Sequence, residues 1–232
     1  MVMVSSIHTA IRIPKQTPQI QDLAERFRAL KLSALQTDSQ NLSGEYESES
    51  VLPLSAWEHR LTRSGVETIV AVASSTPPSN IEDQLASLLQ SEWIGMITMI
   101  GPTPFEEFFL PATGQPMPGP DGTETRWHMT ALYISPGCRG KGIAKQLIST
   151  AIAIGRAYSQ AQGAHVKTRF RLFVAPNNVV AIKLYGGLGF QAAGKVTLEE
   201  AFIANGNREG LPEIIDPARF RFRQGISMEY LT

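Results

Sequence analysis

The second half of the chain carries the clearest pattern of apolar and polar positions. Thr125–Ile134 predicts a strand that ends before Pro136. Lys141–Gln162 predicts an amphipathic helix, because its apolar residues recur in steps of three and four. A strand, a helix and two more strands are predicted after it: Val166–Val174, Asn178–Leu188, Gly189–Val196 and Phe220–Tyr230. This alternation predicts a parallel pair of strands within a mixed sheet.

The first half predicts three more strands and three helices. The strands are Ile7–Ile13, Glu67–Ala73 and Trp93–Ile100. The helices are one that opens at Thr17 and Pro18, Leu54–Arg63 and Ile81–Gln90. Three segments have no regular pattern: Gln36–Ser50, Gly101–Gly122 and Thr197–Ala218. We therefore predict an α/β fold (an α+β mixed sheet) of about seven strands flanked by about four helices. We expect one domain over residues 1–232, with its best-supported core at 125–196.

Composition narrows the classes of function. Lys plus Arg equal Asp plus Glu at 21 each, so the chain lacks the basic excess of a protein that binds nucleic acid. Cys138 is the one cysteine, which forbids a disulfide within the chain and fits a reducing compartment. Met1–Ser6 starts no secretory signal, and no apolar run approaches the roughly 18 residues of a membrane helix. We expect a soluble cytoplasmic protein with neither a nucleic-acid nor a membrane partner.

A short glycine-containing segment, Arg139-Gly140-Lys141-Gly142-Ile143-Ala144, lies between a predicted strand and the long predicted helix. Its two glycines allow successive backbone N–H groups to point into one concavity, and the helix that follows adds the positive end of its dipole. Arg139 and Lys141 add two full charges. Pyrophosphate is the ligand that suits such a place. The alternative is an ordinary turn between a strand and a helix.

A second pattern, N-x-x-A-x-x-L-Y-x-x-x-G-F, begins 39 residues after Arg139 and leaves room for one helix and one strand. Its specified residues are Asn178, Ala181, Leu184, Tyr185, Gly189 and Phe190. The two patterns together resemble the GNAT family, the GNAT-superfamily N-acetyltransferases. In that family the acyl-CoA loop has the sequence (Gln or Arg)-x-x-Gly-x-(Gly or Ala), and the next helix commonly carries this Asn and Tyr. The resemblance covers residues 131–190, and the order of the elements alone extends it to the rest of the chain.

The resemblance implies that acetyl-CoA is the co-substrate. The exposed backbone of Leu132, Tyr133 and Ile134 would pair with the pantetheine arm, whereas the side chains of these residues belong to the core. A backbone N–H of this strand would also stabilise the carbonyl oxygen as it becomes negative. Arg139–Ala144 would bind the pyrophosphate. Asn178 would contact the CoA arm, although asparagine is equally a favoured helix N-cap.

The resemblance also implies two catalytic residues. Tyr185 would donate a proton to the CoA thiolate as it leaves, because a phenol is acidic enough to reprotonate a thiolate. The alternative is a half-buried aromatic residue that packs under the sheet. His128 would be the base, at a place where some relatives have a glutamate, and strand alternation would put it on one face with Thr130 and Leu132. The alternative is a histidine that only forms a structural hydrogen bond.

Two further features concern the substrate and a metal. Glu45, Glu47 and Glu49 flank Tyr46 in a region that often lines the acceptor groove in relatives, where carboxylates would favour a cationic amine. The alternative is a solvated run of charge. We assign no role to Cys138. No cluster of histidine, cysteine and carboxylate residues has metal-ligand spacing, so no metal is expected.

The reaction that the resemblance implies is direct attack of an amine on acetyl-CoA in a ternary complex. The acceptor would be the amine of a small molecule or of a peptide. Two alternatives stay open: a regulator or scaffold that binds acyl-CoA without turnover, and another acyl-CoA reaction, such as decarboxylation, on the same fold. The acceptor, the acyl chain length and the oligomeric state are not fixed by the sequence.

Overall fold

The sheet contains seven strands in this computed structural model, which describes residues 7–42, 44–74, 76–208, 211–222 and 224–232. The strands are β1 (Ile7–Arg12), β2 (Val66–Ser74), β3 (Glu92–Ile100), β4 (Glu124–Ile134), β5 (Lys167–Val174), β6 (Gln191–Thr197) and β7 (Gln224–Leu231). Their order in the sheet is β1-β2-β3-β4-β5-β7-β6. β4 and β5 are parallel, whereas the β1–β2, β5–β7 and β6–β7 pairs are antiparallel. The predicted mixed sheet of about seven strands is therefore confirmed.

Nine α-helices lie within the described residues. They are α1 (Ile20–Thr37), α2 (Tyr46–Ser50), α3 (Leu54–Thr62), α4 (Ile81–Gln90), α5 (Phe105–Phe108), α6 (Ile143–Gln162), α7 (Val179–Gly187), α8 (Leu198–Ala204) and α9 (Pro217–Phe220). Among the described residues, α1, α3, α4, α6 and α7 are the helices of nine residues or more, close to the number predicted. The short helices α2, α5, α8 and α9 were not predicted, or were predicted as other structure.

The segment Thr197–Ala218 is more regular than its sequence pattern suggested. Thr197 caps α8, because its hydroxyl accepts a hydrogen bond from the Glu200 N–H while the Glu200 carboxylate accepts one from the Thr197 N–H. This capping box is visible in the sequence as Thr-x-x-Glu. The strand predicted from Phe220 was wrong at its start, since Phe220 ends α9 and β7 begins at Gln224.

The chain divides into two compact units, each with its own core. Unit 1 comprises the described residues up to Thr98 together with Ala131–Ala151. Its core packs α1 and α3 against β1, β2 and β3, and the rings of Phe27 and Trp57 meet edge to face at 5.8 Å. Burying a large apolar side chain such as these contributes about 1.5–3 kcal/mol to folding.

Unit 2 comprises Met99–Thr130 and Ile152–Thr232, and its part of the sheet has two different faces. One face is apolar and packs on α6, where a Cβ atom on Gly155 would lie 2.6 Å from the Phe170 ring. The opposite face carries buried polar residues: Glu124, Arg126, His128, Arg169, Arg171 and Glu229. Arg169 donates to the carboxylates of Glu124 at 2.7 Å and Glu229 at 2.6 Å. This second face is a buried polar layer rather than a solvated surface.

Within the described residues, no helix combines the length and the apolar character needed to cross a membrane. Met1–Ser6, where we predicted no secretory signal, lies outside those residues. The single domain over residues 1–232 stays a prediction.

Candidate active site

The glycine loop, defined here as Arg139–Ala144, leads directly into α6 and is largely exposed. Gly140 and Gly142 have φ angles of 77° and 80°, a left-handed conformation in which glycine is favoured. Left-handed residues in a turn can direct successive backbone N–H groups toward one side, as in an anion-binding concavity. The Gln146 N–H donates to the Gly142 carbonyl at 3.1 Å, so the N–H groups earlier in the loop precede the hydrogen bonds of the helix. The predicted role of the loop in binding pyrophosphate stays a prediction.

The two cations of the glycine loop differ in their surroundings. Arg139 donates through Nε to the Ile134 carbonyl at 3.0 Å and forms an ion pair with Asp38 at 3.1 Å. Its side chain is nevertheless 48% exposed. Lys141 is exposed. Arg139 therefore holds the loop against the end of β4 and shares its charge with Asp38.

The end of β4 departs from regular strand geometry at Ala131, whose φ angle is 54°. Alternation of side chains between two faces requires extended backbone throughout, so the predicted shared face of His128, Thr130 and Leu132 does not hold through Ala131. Beyond this residue, the Tyr133 hydroxyl and the Thr37 hydroxyl lie 3.0 Å apart. The strand remains close to β3, because a Cβ atom on Gly95 would lie 2.9 Å from the Tyr133 carbonyl oxygen.

The side chains of Leu132, Tyr133 and Ile134 are partly or fully buried, as predicted for core residues. Ser135, which follows them, donates through its backbone N–H to the Ile94 carbonyl at 2.9 Å. These hydrogen bonds and contacts hold the strand in place immediately before the glycine loop. The predicted pairing of its backbone with a pantetheine arm stays a prediction.

Asn178 is the N-cap of α7. Its side-chain oxygen accepts a hydrogen bond from the Ala181 N–H at 3.1 Å. The capping role that we gave as one of two possibilities for this residue is therefore present. The other possibility, a contact to the CoA arm, stays a prediction.

Tyr185 lies in the last turn of α7 and is 8% exposed. Its ring packs against Phe190, with the ring centroids 5.9 Å apart. Burial raises the pKa of Tyr185 above its ordinary value, so the hydroxyl is protonated at neutral pH. A proton donor needs this state. The aromatic packing given as the alternative is present, and the role of Tyr185 as an acid stays a prediction.

His128 is 2% exposed and lies on the buried polar layer of unit 2. Its Nε2 atom is 2.9 Å from Oδ1 of Asn205, an atom that only accepts, so Nε2 carries the proton. Burial first, and then the nearby charge of Arg171, lower the pKa of His128 to about 3, even though the hydrogen bond to Asn205 acts in the opposite direction. The imidazole is therefore neutral at physiological pH, and its Nδ1 atom is buried without a partner.

This environment does not favour His128 as the base. A group with so low a pKa is a poor proton acceptor for an ammonium ion whose pKa is about 10.4. The structural hydrogen bond that we gave as the alternative is present, and the base role stays a prediction. Asn205, the partner of His128, was missed by sequence reasoning because it lies at the end of the unpredicted α8. The capping box at Thr197 is the signal that would have placed a helix there.

The acidic residues before α3 do not form a single open patch. Glu45 and Glu47 are exposed, but Glu49 is buried and forms an ion pair with Arg60 at 2.6 Å. Neither the acceptor groove nor the solvated run of charge predicted this ion pair, because the sequence around Glu49 does not indicate a partner 11 residues away. Within the described part of the chain, no group of three or more His, Cys, Asp or Glu side chains is arranged to hold a metal ion.

The sequence-predicted residues thus fall into two sets. Unit 1 contains Leu132, Tyr133 and Ile134 and the glycine loop, which follow one another along the chain and are joined by the Arg139–Ile134 hydrogen bond. Unit 2 contains His128, Asn178 and Tyr185.

Comparison with known proteins gives one family match and several structural likenesses. Residues 84–190 match the model of the acetyltransferase (GNAT) family. NAA60 from Arabidopsis thaliana, solved with a bisubstrate analogue, is 17% identical with a TM-score of 0.53, over 97% of this chain and 99% of that chain. In the complex of NAA60 with acetyl-CoA the identity is 18% and the TM-score 0.52, over 96% and 98%.

Two other solved proteins have similar folds. An N-acetyltransferase from Staphylococcus aureus Mu50 is 16% identical with a TM-score of 0.54, over 97% of this chain and 98% of that chain. The aminoglycoside N-acetyltransferase AAC(6')-Iy, solved with CoA, is 16% identical with a TM-score of 0.50, over 83% and 93%. At these identities the likeness establishes the fold. No curated protein sequence matches the chain.

Proposed function

We propose that this chain, whose residues 84–190 match the model of the acetyltransferase (GNAT) family, transfers an acetyl group from acetyl-CoA to an amine. The observation that carries the proposal is the glycine loop. It is exposed, it has two left-handed glycines, and it opens the 20-residue helix α6 inside the matched segment. Such a loop at a helix N-terminus binds phosphate groups through backbone N–H donors and the helix dipole.

We assign acetyl-CoA to specific groups of the chain. The N–H groups of the glycine loop bind the pyrophosphate, and Lys141 and Arg139 add positive charge. The backbone of Leu132, Tyr133 and Ile134 pairs with the pantetheine arm, and Asn178 contacts the arm in addition to capping α7. NAA60 and AAC(6')-Iy, solved with acetyl-CoA and CoA respectively, support this choice of co-substrate by likeness of fold.

The chemical step is attack of the neutral amine nitrogen on the acetyl carbonyl carbon. A C–N bond forms, the C–S bond breaks, and the electron pair of that bond leaves on the CoA sulfur. Tyr185 donates its proton to this thiolate and recovers one from solvent, while the nitrogen, positively charged after attack, releases one proton to solvent and becomes the neutral amide. Because its raised pKa makes a free phenolate costly, we expect the proton to move as the C–S bond breaks.

The amine must lose a proton before or during attack. Removing it at neutral pH costs about 4.6 kcal/mol for an alkyl ammonium ion. His128 is the sequence candidate for the proton acceptor, yet its buried neutral ring is a specific observation in favour of the alternatives that need no amine base. Those alternatives are an acyl-CoA-binding scaffold and another acyl-CoA reaction such as decarboxylation.

The acceptor in this proposal is the amine of a small molecule or of a peptide. The bisubstrate analogue bound to NAA60 and the aminoglycoside named for AAC(6')-Iy support a transfer that joins acetyl-CoA and an acceptor directly. The cytoplasmic location stays a prediction from the sequence, and fractionation of cells that express the chain tests it.

Thermal unfolding with and without acetyl-CoA tests the proposal. At about a hundred times a micromolar dissociation constant, binding adds about 2.7 kcal/mol and raises the melting temperature by about 5–11 °C. Free CoA should match that shift, and a panel of amines should then release CoA thiol. Consumption of acyl-CoA without any amine would favour the other acyl-CoA chemistry, and binding without consumption would favour the scaffold. No shift at any concentration would contradict all three.

A further inference from the structure

Arg171 is a buried cation that forms no direct ion pair with a carboxylate of the described residues. Its side chain is 1% exposed, and the guanidinium carbon lies 3.9 Å from the centre of the Phe108 ring and 5.0 Å from that of Phe173. NH1 donates to the Phe108 carbonyl and, at 3.1 Å, to Oε1 of Gln115. Burial lowers the pKa of Arg171 to about 10, even though the carboxylates of Glu229 and Glu200 act in the opposite direction, so the group stays charged at neutral pH.

The two other arginines of the buried polar layer are paired, which makes Arg171 the exception. Arg126 forms an ion pair with Asp121 at 2.6 Å, and Arg169 binds carboxylates on both sides. Among the described residues, no carboxylate lies within 4.0 Å of the Arg171 guanidinium. The carboxylates of Glu229 and Glu200 act on this charge only from beyond contact distance, and a buried charge that lacks a directly hydrogen-bonded anion is costly.

Three buried donors, on Arg171 and in its neighbourhood, have no hydrogen-bond partner within the described part of the chain. They are Nε of Arg171, Nε2 of Gln115 and the hydroxyl of Ser227. Gln115 is joined to Arg171 by the hydrogen bond already described. Ser227 pairs in register with Phe173, two residues beyond Arg171 on β5, and with Gly194 on β6.

Close backbone packing brings Gln115 and Ser227 into the same neighbourhood. A Cβ atom on Gly194, the register partner of Ser227, would lie 3.1 Å from the Gln115 nitrogen and would overlap the Thr113 carbonyl. The segment that contains Thr113 and Gln115 therefore crosses directly over β6 and β7 at this point. The residues that carry the three unused donors thus come from a loop, from β5 and from β7 to one part of the buried polar layer.

We propose that Arg171, Gln115 and Ser227 form a binding site for a small anion of the carboxylate class. Carboxylate oxygens only accept hydrogen bonds, and the guanidinium, amide and hydroxyl groups all donate them. Glu229, which faces Arg171 in register, binds Arg169 through Oε2 at 2.6 Å, and its Oε1 is a buried acceptor with no hydrogen-bond partner among the described residues. The anion is therefore expected on the Phe173 side of Arg171, away from Glu229.

The carboxylate has two possible sources that the experiments separate. It is either a free small anion or a carboxylate carried by the acceptor amine. The second source rests on the proposed function, because His128, the candidate base, pairs in register with Arg171 on the neighbouring strand. The first source is independent of acetyl transfer.

Formate, the smallest carboxylate, is the probe for the site itself. In wild-type protein, sodium formate at about ten times its dissociation constant should raise the melting temperature by about 3–6 °C. Gln115→Glu supplies a carboxylate beside Arg171, so this variant should melt above wild type without formate and should not respond to formate. Ser227→Ala should reduce the response, and Arg171→Met should abolish it if that variant folds.

Gln115→Glu keeps Arg171 in place and thus decides the question even where Arg171→Met fails to fold. An equal formate shift in wild type and in Gln115→Glu would mean a general salt effect and would overturn the proposal. A lower melting temperature for Gln115→Glu, together with no formate effect on wild type, would mean that water molecules accept the hydrogen bonds of these donors. That result would also overturn the proposal.

The acceptor source is tested by paired amines that differ only in a carboxylate, such as phenylalanine and phenethylamine. If the acceptor carries the anion, wild type should prefer the carboxylate-bearing amine in kcat/KM by about tenfold or more, and Gln115→Glu should lose that preference. A formate shift without any such preference assigns the site to a free anion. Failure of acetyl transfer with every amine would count against the proposed function and leaves the formate result standing on its own.

Discussion

The two candidate catalytic side chains are both buried, and burial shifts their pKa values in opposite directions. An apolar environment disfavours the charged form of any group. For Tyr185 this keeps the phenol protonated, as an acid requires, whereas for His128 it keeps the imidazole neutral with a pKa near 3. The family resemblance suggested both roles, and only the proposed acid is favoured by its surroundings.

Tyr185→Phe should keep acetyl-CoA binding and lower kcat by about tenfold or more, because it removes the proton donor and leaves the ring. The contact with Phe190 needs only the ring, so the fold should be little changed. Steady-state kinetics and acetyl-CoA titration of the two proteins are the measurements. A variant with wild-type kcat would remove Tyr185 from the mechanism.

The low pKa of His128 makes a stability prediction with a definite sign. The unfolded chain takes up a proton on this residue below about pH 6.5, whereas the folded chain does so only near pH 3. The free energy of unfolding should therefore fall as the pH drops through this window, by about 2 kcal/mol between pH 6.5 and 4.5.

His128→Gln is the matched control, since its amide can still donate to Asn205 and does not titrate. Denaturant unfolding of both proteins at each pH isolates the histidine, because every other group contributes equally to both. Equal losses of stability in the two proteins would contradict the buried neutral state.

At the scale of elements, the junction between β4 and α6 combines a strand that turns at Ala131, a loop with two left-handed glycines and a long helix. The left-handed φ of Gly142 disfavours any side chain there, although a Cβ atom would meet no other atom within 4 Å. At Gly142 there is therefore open space for a ligand, and any side chain introduced there would strain the backbone.

Gly142→Glu should abolish acetyl-CoA binding, because the carboxylate blocks and repels the pyrophosphate. Gly142→Gln carries the same backbone strain and nearly the same volume without the charge, so the difference between the two variants measures repulsion alone. Isothermal titration with CoA is the measurement. Wild-type affinity in a folded Gly142→Glu protein would refute the assignment of the loop.

The sequence predicts these elements better than it predicts what lies between them. Periodicity located all seven strands and the start of α6 to within a few residues, since each buries an apolar face. Periodicity could not locate α8, because the sequence evidence for that helix is its capping box and not a row of apolar residues. Nor could it reveal the left-handed backbone of Ala131. It also could not anticipate a polar face that is buried, because Arg171 and Glu229 resemble surface residues until their register is known.

At the scale of the whole molecule, two elements run through both compact units. β4 contributes residues up to Thr130 to unit 2 and those from Ala131 onward to unit 1, and α6 changes units after Ala151. Hydrogen bonding along a helix or a strand is cooperative. We therefore expect the units to unfold together, in keeping with the predicted single domain.

Native-state hydrogen exchange measures this directly. The slowest amides of β2, in unit 1, and of β5, in unit 2, should report the same free energy of opening, equal to that of global unfolding. Values that differ by more than about 2 kcal/mol would mean that the units open separately and would contradict a single cooperative domain.

The ion pair between Arg139 and Asp38 makes the aspartate an internal competitor for any phosphate group that reaches the glycine loop. A diphosphate bound there, as we propose for CoA, would take the guanidinium of Arg139 from Asp38, and Asp38 would pair with it again when the diphosphate leaves. The competition from Asp38 would therefore weaken CoA binding and speed CoA dissociation. Asp38→Asn should lengthen the residence time of CoA and slow turnover at once, which stopped-flow measurement of CoA dissociation would reveal. Asp38, which lies at the C-terminal end of α1, would then set the rate of CoA release without contacting the acceptor.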